Sequence, residues 1–518
     1  MKPWNESPTT PQASALTDSQ LLDTLQHTAF NYFWFEANTA NGLIKDRSTA
    51  SSAGSIASTG FGLTAIGIGI DHGWISRTSG RDRSLTTLKT FWQQPQGSGT
   101  TGMIGYHGWF YHFLDMNSAT RSGTSELSSI DTGLLLAGIL YARQYFDGTD
   151  SLEIVLRAYA DSIVNRVDWN WMTYGQNSLT MGWTPESGFI TNRWSGYNEA
   201  MILLIEGIGA SSKPLPYQVW NNWMSSYSWQ TLYGYSFITF PPLFGHQYTH
   251  CWIDFRNIAD YYTKLQGITY FENSRRATLA NRSYCAANPG HYAGYSDSVW
   301  GLTACDGPSG YRARGAPPGQ SDDGTIAPTA AAGSIPFTPV ESITALQTMY
   351  NKYGAQLWGQ YGLKDAFNIN QNWFDTDYIG IDEGPIIIMI ENYRTQAVWN
   401  RLMQNSVIQS GLAKAGFTTV TNVGNTAKNE IRNFRLDQNY PNPFNPTTEI
   451  SFTVVGTDHI SLRVYDLLGR VVSTIVDRPM VAGTYTFSWD ATGMSSGIYF
   501  TQLKAGSRTE TRKMVLTR

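Results

Sequence analysis

The chain has 518 residues, a net charge of −4, and 15% charged against 14% aromatic residues. That length exceeds one ordinary domain and suits a large core plus an appendage. The charge gives no basic footprint for nucleic acid, and no run reaches the roughly 18 apolar residues of a membrane span. The 18 Trp and 29 Tyr are more than a core needs. Such rings suit a site that is part apolar and part wet, as a sugar presents. Cys251, Cys285 and Cys305 lack metal-ligand spacing with histidine, so no metal or cofactor is expected. Cys285 and Cys305 share a loop-rich region where an exported protein could bridge them; buried free thiols are the plainer expectation.

Residues 1–16 are rich in Pro, Ser and Thr and read as a flexible start. No signal peptide is visible there, although the segment could follow one already removed. Thr17 and Gln20 form a capping box, after which Leu21, Leu25, Ala29 and Phe33 recur every four residues. A polar loop over 38–58 contains Asp46 and Arg47. Helices are expected over 60–75 and 84–94. In 124–146, Glu126 and Asp131 precede an apolar run, and 152–167 is amphipathic.

The stretch 192–214 anchors the reading. Asn192, Arg193, Trp194, Tyr197 and Asn198 lead to Glu199, and the chain then turns apolar on nearly every side from Met201 to Ile208. A helix apolar all round is an inner helix. Glu199 therefore stands at a buried helix mouth, where desolvation raises a carboxyl pKa and suits a general acid. Complementing the helix dipole is the simpler role. Further helices are expected at 217–224, 253–265, 270–287, 339–353 and 385–403. The Gly- and Pro-rich stretch 285–339 is long enough to carry function. Within it Asp322-Asp323-Gly324 lacks the spacing of a calcium loop and reads as a turn.

About twelve helices, apolar-all-round alternating with amphipathic, predict a mainly α (α/α)6 toroid over 17–420; an irregular bundle is the alternative. Residues 421–433 read as a linker. Over 434–518 the pattern alternates in short strands, near 449–455, 460–465, 471–476, 484–489, 498–505 and 511–516, which predicts a small all-β sandwich.

Two resemblances follow. The segment LDQNYPNPFNPTTEI at 436–450, with VYDLLGR at 464–470 and Gly497-Ile498-Tyr499, resembles the C-terminal sorting domain of type IX secretion cargo. It implies a Bacteroidota-like source, export machinery as a partner, and a secreted or outer-surface location. The main unit resembles the glucoamylase-like proteins that include glycoside hydrolase family 144, the endo-β-1,2-glucanases. The residues that carry this are Gly60-Phe61-Gly62-Leu63, GYHGWFYHFL at 105–114, the segment 124–136, Tyr197-Asn198-Glu199-Ala200-Met201, FGHQYTHCWID at 244–254 and IDEGPIIIMIENYR at 381–394. The resemblance implies an (α/α)6 barrel that hydrolyses β-1,2-glucan to short oligosaccharides with inversion. It also implies Glu199 as the acid, Asp382 as a second acidic residue, and Glu126 with Asp131 as an acidic cluster lining the cleft. Glu383 stands where relatives often carry Gln. Exo-acting hydrolases and transglycosylases share this scaffold, and a catalytically silent surface glycan-binding protein is the rival of another class.

Glycosidic cleavage needs a proton donor and a group that activates water, about 6.5–9.5 Å apart for inversion. The helix mouths at Glu126/Asp131, Glu199 and Asp382/Glu383 converge in a toroid. Asp131 and Asp382 are the candidate bases, each with helix capping as its alternative role. Glu126 and Glu383 are expected to bind sugar hydroxyls. Trp109, Trp194, Tyr197, His250, Trp373 and Tyr378 are candidate subsite residues, with core packing as the alternative. Arg47, Arg193 and Arg394 fit either sugar hydroxyls or ion pairs with the acids.

Overall fold

The computed structural model describes residues 16–317, 322–420, 435–439, 441–454, 458–480, 483–506 and 508–517. The linker over 421–433, and the expected flexible start apart from Leu16, lie outside them. Helix α1 (Asp18–Phe35) starts at the expected capping box: the Gln20 N–H donates to Thr17 Oγ1, and the Thr17 N–H donates to the Gln20 side chain. Helix α2 (Ile56–Asp71) starts four residues earlier than the pattern suggests, because Ser55 caps it by accepting from the Ser58 N–H. Fourteen of its residues are buried, so no wet face marks its bounds in the sequence. Ser76 likewise moves the start of α3 (Arg77–Gln93) upstream of residue 84.

Next come α4 (Ser129–Tyr145), capped by Ser128, α5 (Ser151–Arg166), capped by Asp150, and the short α6 (Trp169–Thr173). Helix α7 (Met201–Gly209) is buried at every residue. The outer α8 (Gln218–Met224) matches its expectation. Between α9 (Tyr248–Trp252) and α11 (Tyr270–Ala287) the expected helix over 253–265 shrinks to α10 (Tyr261–Leu265). Two pairings remove the rest. Asp254 takes the Arg256 N–H and guanidinium in a local turn, and Ile258–Ala259 pairs with Thr418–Thr419.

The stretch 285–339 contains α12 (Pro328–Ala332), followed by α13 (Pro339–Leu357). The single helix expected over 385–403 is two, α14 (Gly380–Arg394) and α15 (Ala397–Leu402), because Gln396 takes a left-handed φ of 61° between them. Pro385 lies inside α14 rather than at its start. Helix α16 (Ser406–Lys414) was not expected.

The most buried helices are neighbours: α2 packs on α4, α4 on α7, α7 on α9, and α14 on both α12 and α2. Gln247, just before α9, donates to the Ala330 carbonyl of α12 at 2.8 Å. Half-exposed helices lie against them, α1 on α2 and α14, α13 on α12, and α3 on α5. Helices α2 and α4 approach closely, as do α7 and α16. A Cβ on Gly138 would strike the Gly60 carbonyl, and one on Gly60 would strike that of Leu134, so these glycines let two backbones touch.

The chain divides into two compact units, Met1–Thr419 and Val420–Arg518. In the second, Arg435–Leu436, Thr447–Val454 and Gly483–Asp490 form one antiparallel sheet. Asp458–Tyr465, Val471–Met480, Gly497–Ala505 and Arg508–Leu516 form another. Its own apolar core includes Ile450, Phe452, Leu462, Leu503 and Met514. All three cysteines are free and buried.

Candidate active site

Glu199 sits two residues before α7, on a turn set by Asn198, whose side chain accepts from the Ala200 N–H. Its carboxylate oxygen Oε2 is buried and has no hydrogen-bonding partner, although part of the side chain is open. Burial raises its pKa from 4.5 to about 7, and the negative Asp131 adds to the shift. Asp131 lies in the first turn of α4, held by the Ser128 hydroxyl. Between Asp131 and Glu126 stands His112. Its Nδ1 lies 3.0 Å from Glu126 Oε1 and its Nε2 lies 3.5 Å from Asp131 Oδ2. Burial alone would lower the His112 pKa, but Asp131, Glu126 and Asp46 outweigh it and push it up to about 9. For Glu126, burial acts upward, yet the bond and charge of His112 bring its pKa below the usual value. His112 is thus a fixed cation that keeps this carboxylate ionised.

The second group opens α14. Asp382 and Glu383 are 4% and 3% exposed, and one oxygen of each lacks a partner. The α14 N-terminus has no side-chain cap, so capping does not account for Asp382. Burial raises both pKa values, and the neighbouring Asp365 raises them further. Sequence reasoning missed Asp306, Asp365, Asp375 and Asp377, which loops bring to the same place. Arg47 pairs with Asp306 at 2.8 Å, Asp46 at 3.4 Å and Asp377 at 3.7 Å. Its loop is tied down where the Gly380 N–H donates to the Asp46 carbonyl and the Ser48 N–H to that of Tyr378. Burial raises the pKa of the Tyr248 hydroxyl, and the charges of Asp382 and Glu199 raise it further. Tyr311, about half exposed, faces Asp382 and Asp365 from the 285–339 stretch. The polar run between the Phe367 and Tyr378 rings pointed to Asp375 and Asp377, whereas Asp306 and Asp365 lie outside it.

Several candidate subsite residues are scaffold instead. Trp109 is fully buried, donates from Nε1 to the Asp168 carbonyl at 3.0 Å, and packs on Trp169. Trp194 donates to Ser129 Oγ at 2.8 Å and locks the approach to Glu199 onto α4. Tyr197 stacks on Tyr270 in the core. His250 is 1% exposed, shares a hydrogen bond with Ser274, and burial drives its pKa to about 3, so it is neutral. Arg193 is spent on the Thr173 and Ser178 carbonyls. Arg394, at the opposite end of α14, pairs with Asp23 and Gln26. Trp109, Arg193, Trp194 and Tyr197 looked exposed because they fall between helices, but those segments fold inward; His250 lies inside α9 and Arg394 ends α14. Trp373 stays part-exposed beside Asp375. Tyr378 is buried near Glu383 with its hydroxyl unpartnered.

Carboxyl groups of separated proton affinity, gathered where buried helices begin, are the equipment of glycosidic cleavage. Residues 191–406 match the family model described as "Putative glucoamylase". A solved "putative glucoamylase" from Bacteroides uniformis is 33% identical, with a TM-score of 0.73, covering 79% of this chain and 99% of that one. The endo-β-1,2-glucanase from Chitinophaga pinensis, solved with sophorotriose and glucose, is 28% identical, with a TM-score of 0.72, covering 78% and 99%. An exo β-1,2-glucooligosaccharide sophorohydrolase (non-reducing end) of Parabacteroides distasonis is 32% identical over 438 residues. That is 77% of this chain, which spans 58% of the length of that relative. The chain belongs to this glucoamylase-like family. Residues 438–517 match the secretion system C-terminal sorting domain, which marks the chain as secreted or held at the cell surface. No helix among the described residues is long and apolar enough to cross a membrane.

Proposed function

We propose that the chain is an inverting glycoside hydrolase that cuts β-1,2-glucan into short β-1,2-glucooligosaccharides, on an (α/α)6 toroid followed by a β-sandwich sorting domain. The observation that carries the reading is Glu199: a carboxyl at the mouth of a buried helix, unpaired at Oε2, with a pKa raised to about 7 by burial and by the charge of Asp131. It holds its proton at neutral pH and can give it to the leaving glycosidic oxygen. Asp131 or Asp382 would direct water to the anomeric carbon. Asp131, paired with His112, suits a base; Asp382 shares its neighbourhood with Asp365 and suits positioning. Glu126, Glu383, Arg47, Trp373 and Tyr378 would hold sugar hydroxyls and faces. The substrate class comes from the named activities of the Chitinophaga and Parabacteroides relatives.

Exo action is the second reading, favoured by the 285–339 stretch, whose Asp306 N–H donates to Asp365 Oδ2 and which would close one end of the cleft. Product size over time on linear β-1,2-glucan separates the two. An early spread of sizes supports internal cutting, and a single short product from the first minutes supports exo action. No cleavage of any β-1,2-linked substrate would overturn both.

A further inference from the structure

We propose that Asp306, Asp365 and Asp375 bind one hard divalent cation, of the size of Ca2+, beside Asp382. One carboxylate oxygen from each lies within 4.8 Å of the others. Two ligands on opposite sides of a Ca2+ at about 2.4 Å stand about 4.8 Å apart, so the three oxygens fit around one ion. The fold assembles the set. The Phe367–Asn368 and Trp373–Phe374 strands pair, and the Asp375 N–H donates to the Ala366 carbonyl at 3.0 Å, which brings Asp365 and Asp375 together. Asp306 arrives from a distant loop, its N–H donating to Asp365 Oδ2 at 2.7 Å.

Each carboxylate is fixed by one oxygen. Asp365 is held by that N–H. Asp375 Oδ1 accepts from the N–H groups of Thr376 at 2.7 Å and Asp377 at 3.1 Å. Asp306 Oδ2 is held by Arg47 at 2.8 Å. The other oxygens of Asp365 and Asp375, Oδ1 and Oδ2, are buried without a hydrogen-bonding partner. A second observation comes from outside the triad. Asp382, on α14 and 4% exposed, has an Oδ2 that meets no N–H or hydroxyl donor, and its carboxyl comes within hydrogen-bonding reach of Asp365, where the two must share a proton or a cation.

Of these four carboxyls, Asp306 alone has a salt-bridge partner among the described residues, the Arg47 guanidinium. Buried charges of one sign must gain protons or a counter-ion, and hard oxygen donors without nitrogen or sulfur select Ca2+ or Mg2+ over transition metals. The absence of metal-ligand spacing in the sequence does not exclude this site, because its ligands come from separate loops. An ion here would pin the Asp306 loop to the start of α14 and fix the Asp382 carboxyl. The inference does not depend on the substrate.

The test is calorimetric titration of the EDTA-stripped full chain with CaCl2, and with MgCl2 in parallel, alongside thermal melts. One Ca2+ per chain, a saturable rise in Tm, and at least tenfold weaker binding in both Asp375→Asn and Asp306→Asn are expected. Neither heat nor a Tm change at millimolar cation would overturn the site. Unchanged binding in folded variants would overturn its ligands, and if one variant fails to fold the other decides.

Discussion

Replacing Glu199 by Gln keeps the shape of the side chain and removes the proton it is proposed to deliver. Moving its pKa from 4.5 to about 7 corresponds to about 3 kcal/mol against the charged form. At pH 6 a carboxyl with a pKa of 7 is about 90% protonated, whereas one at 4.5 is about 3% protonated, so burial raises the competent fraction about 30-fold. The wild-type rate should fall as pH rises through about 7, because ionisation of Glu199 removes the acid. Glu199→Gln should lose about 10²–10⁴-fold in kcat on β-1,2-glucan. The assay is release of reducing ends across pH 4–9, with an aryl glycoside of sophorose in parallel. An aryl leaving group of low pKa needs no protonation, so the loss should shrink markedly on that substrate. A variant within tenfold of wild type on glucan would refute the reasoning. So would an equal loss on both substrates in a folded variant.

Two further outcomes follow from the packing and the charges. Gly138→Ala should destabilise the helical unit by about 1–3 kcal/mol, because its Cβ strikes the Gly60 carbonyl and α2 and α4 must separate; a thermal melt indistinguishable from wild type would show that the helices can part without cost. His112 has a folded pKa of about 9 against 6.5 unfolded, so its stabilising contribution is complete below about pH 6.5 and is lost as pH rises through 9. The Tm difference between wild type and His112→Gln should therefore narrow from pH 6 to pH 10, and a constant difference would mean that packing, not charge, is what the ring supplies.

Much of the molecule was legible locally. Caps and apolar periodicity are short-range, so the start of α1, the inner character of α7 and the strands of the second unit could be read from neighbouring residues. Helix starts failed where burial is uniform, as in α2, and the helix over 253–265 failed where a long-range pairing with Thr418–Thr419 won over local propensity. Glu199 could be marked as a helix-mouth carboxyl because the apolar run of α7 follows it directly in the chain. Trp109 and Tyr197 were misplaced because a ring in a loop looks the same whether the loop faces a sugar or the core, and only packing tells them apart.

The sequence by itself determined the two-part organisation, the alternation of buried and half-wet helices, and one acidic helix mouth at Glu199, since each depends on contiguous residues. Only the tertiary structure decided that His112 ties Glu126 to Asp131, that Arg47 reaches Asp306, and that Asp306, Asp365 and Asp375 come together. Glu126, Asp365, Asp375 and Asp382 owe their shifted proton affinities to charges and desolvation from distant segments, and such fields exist only once the chain is folded.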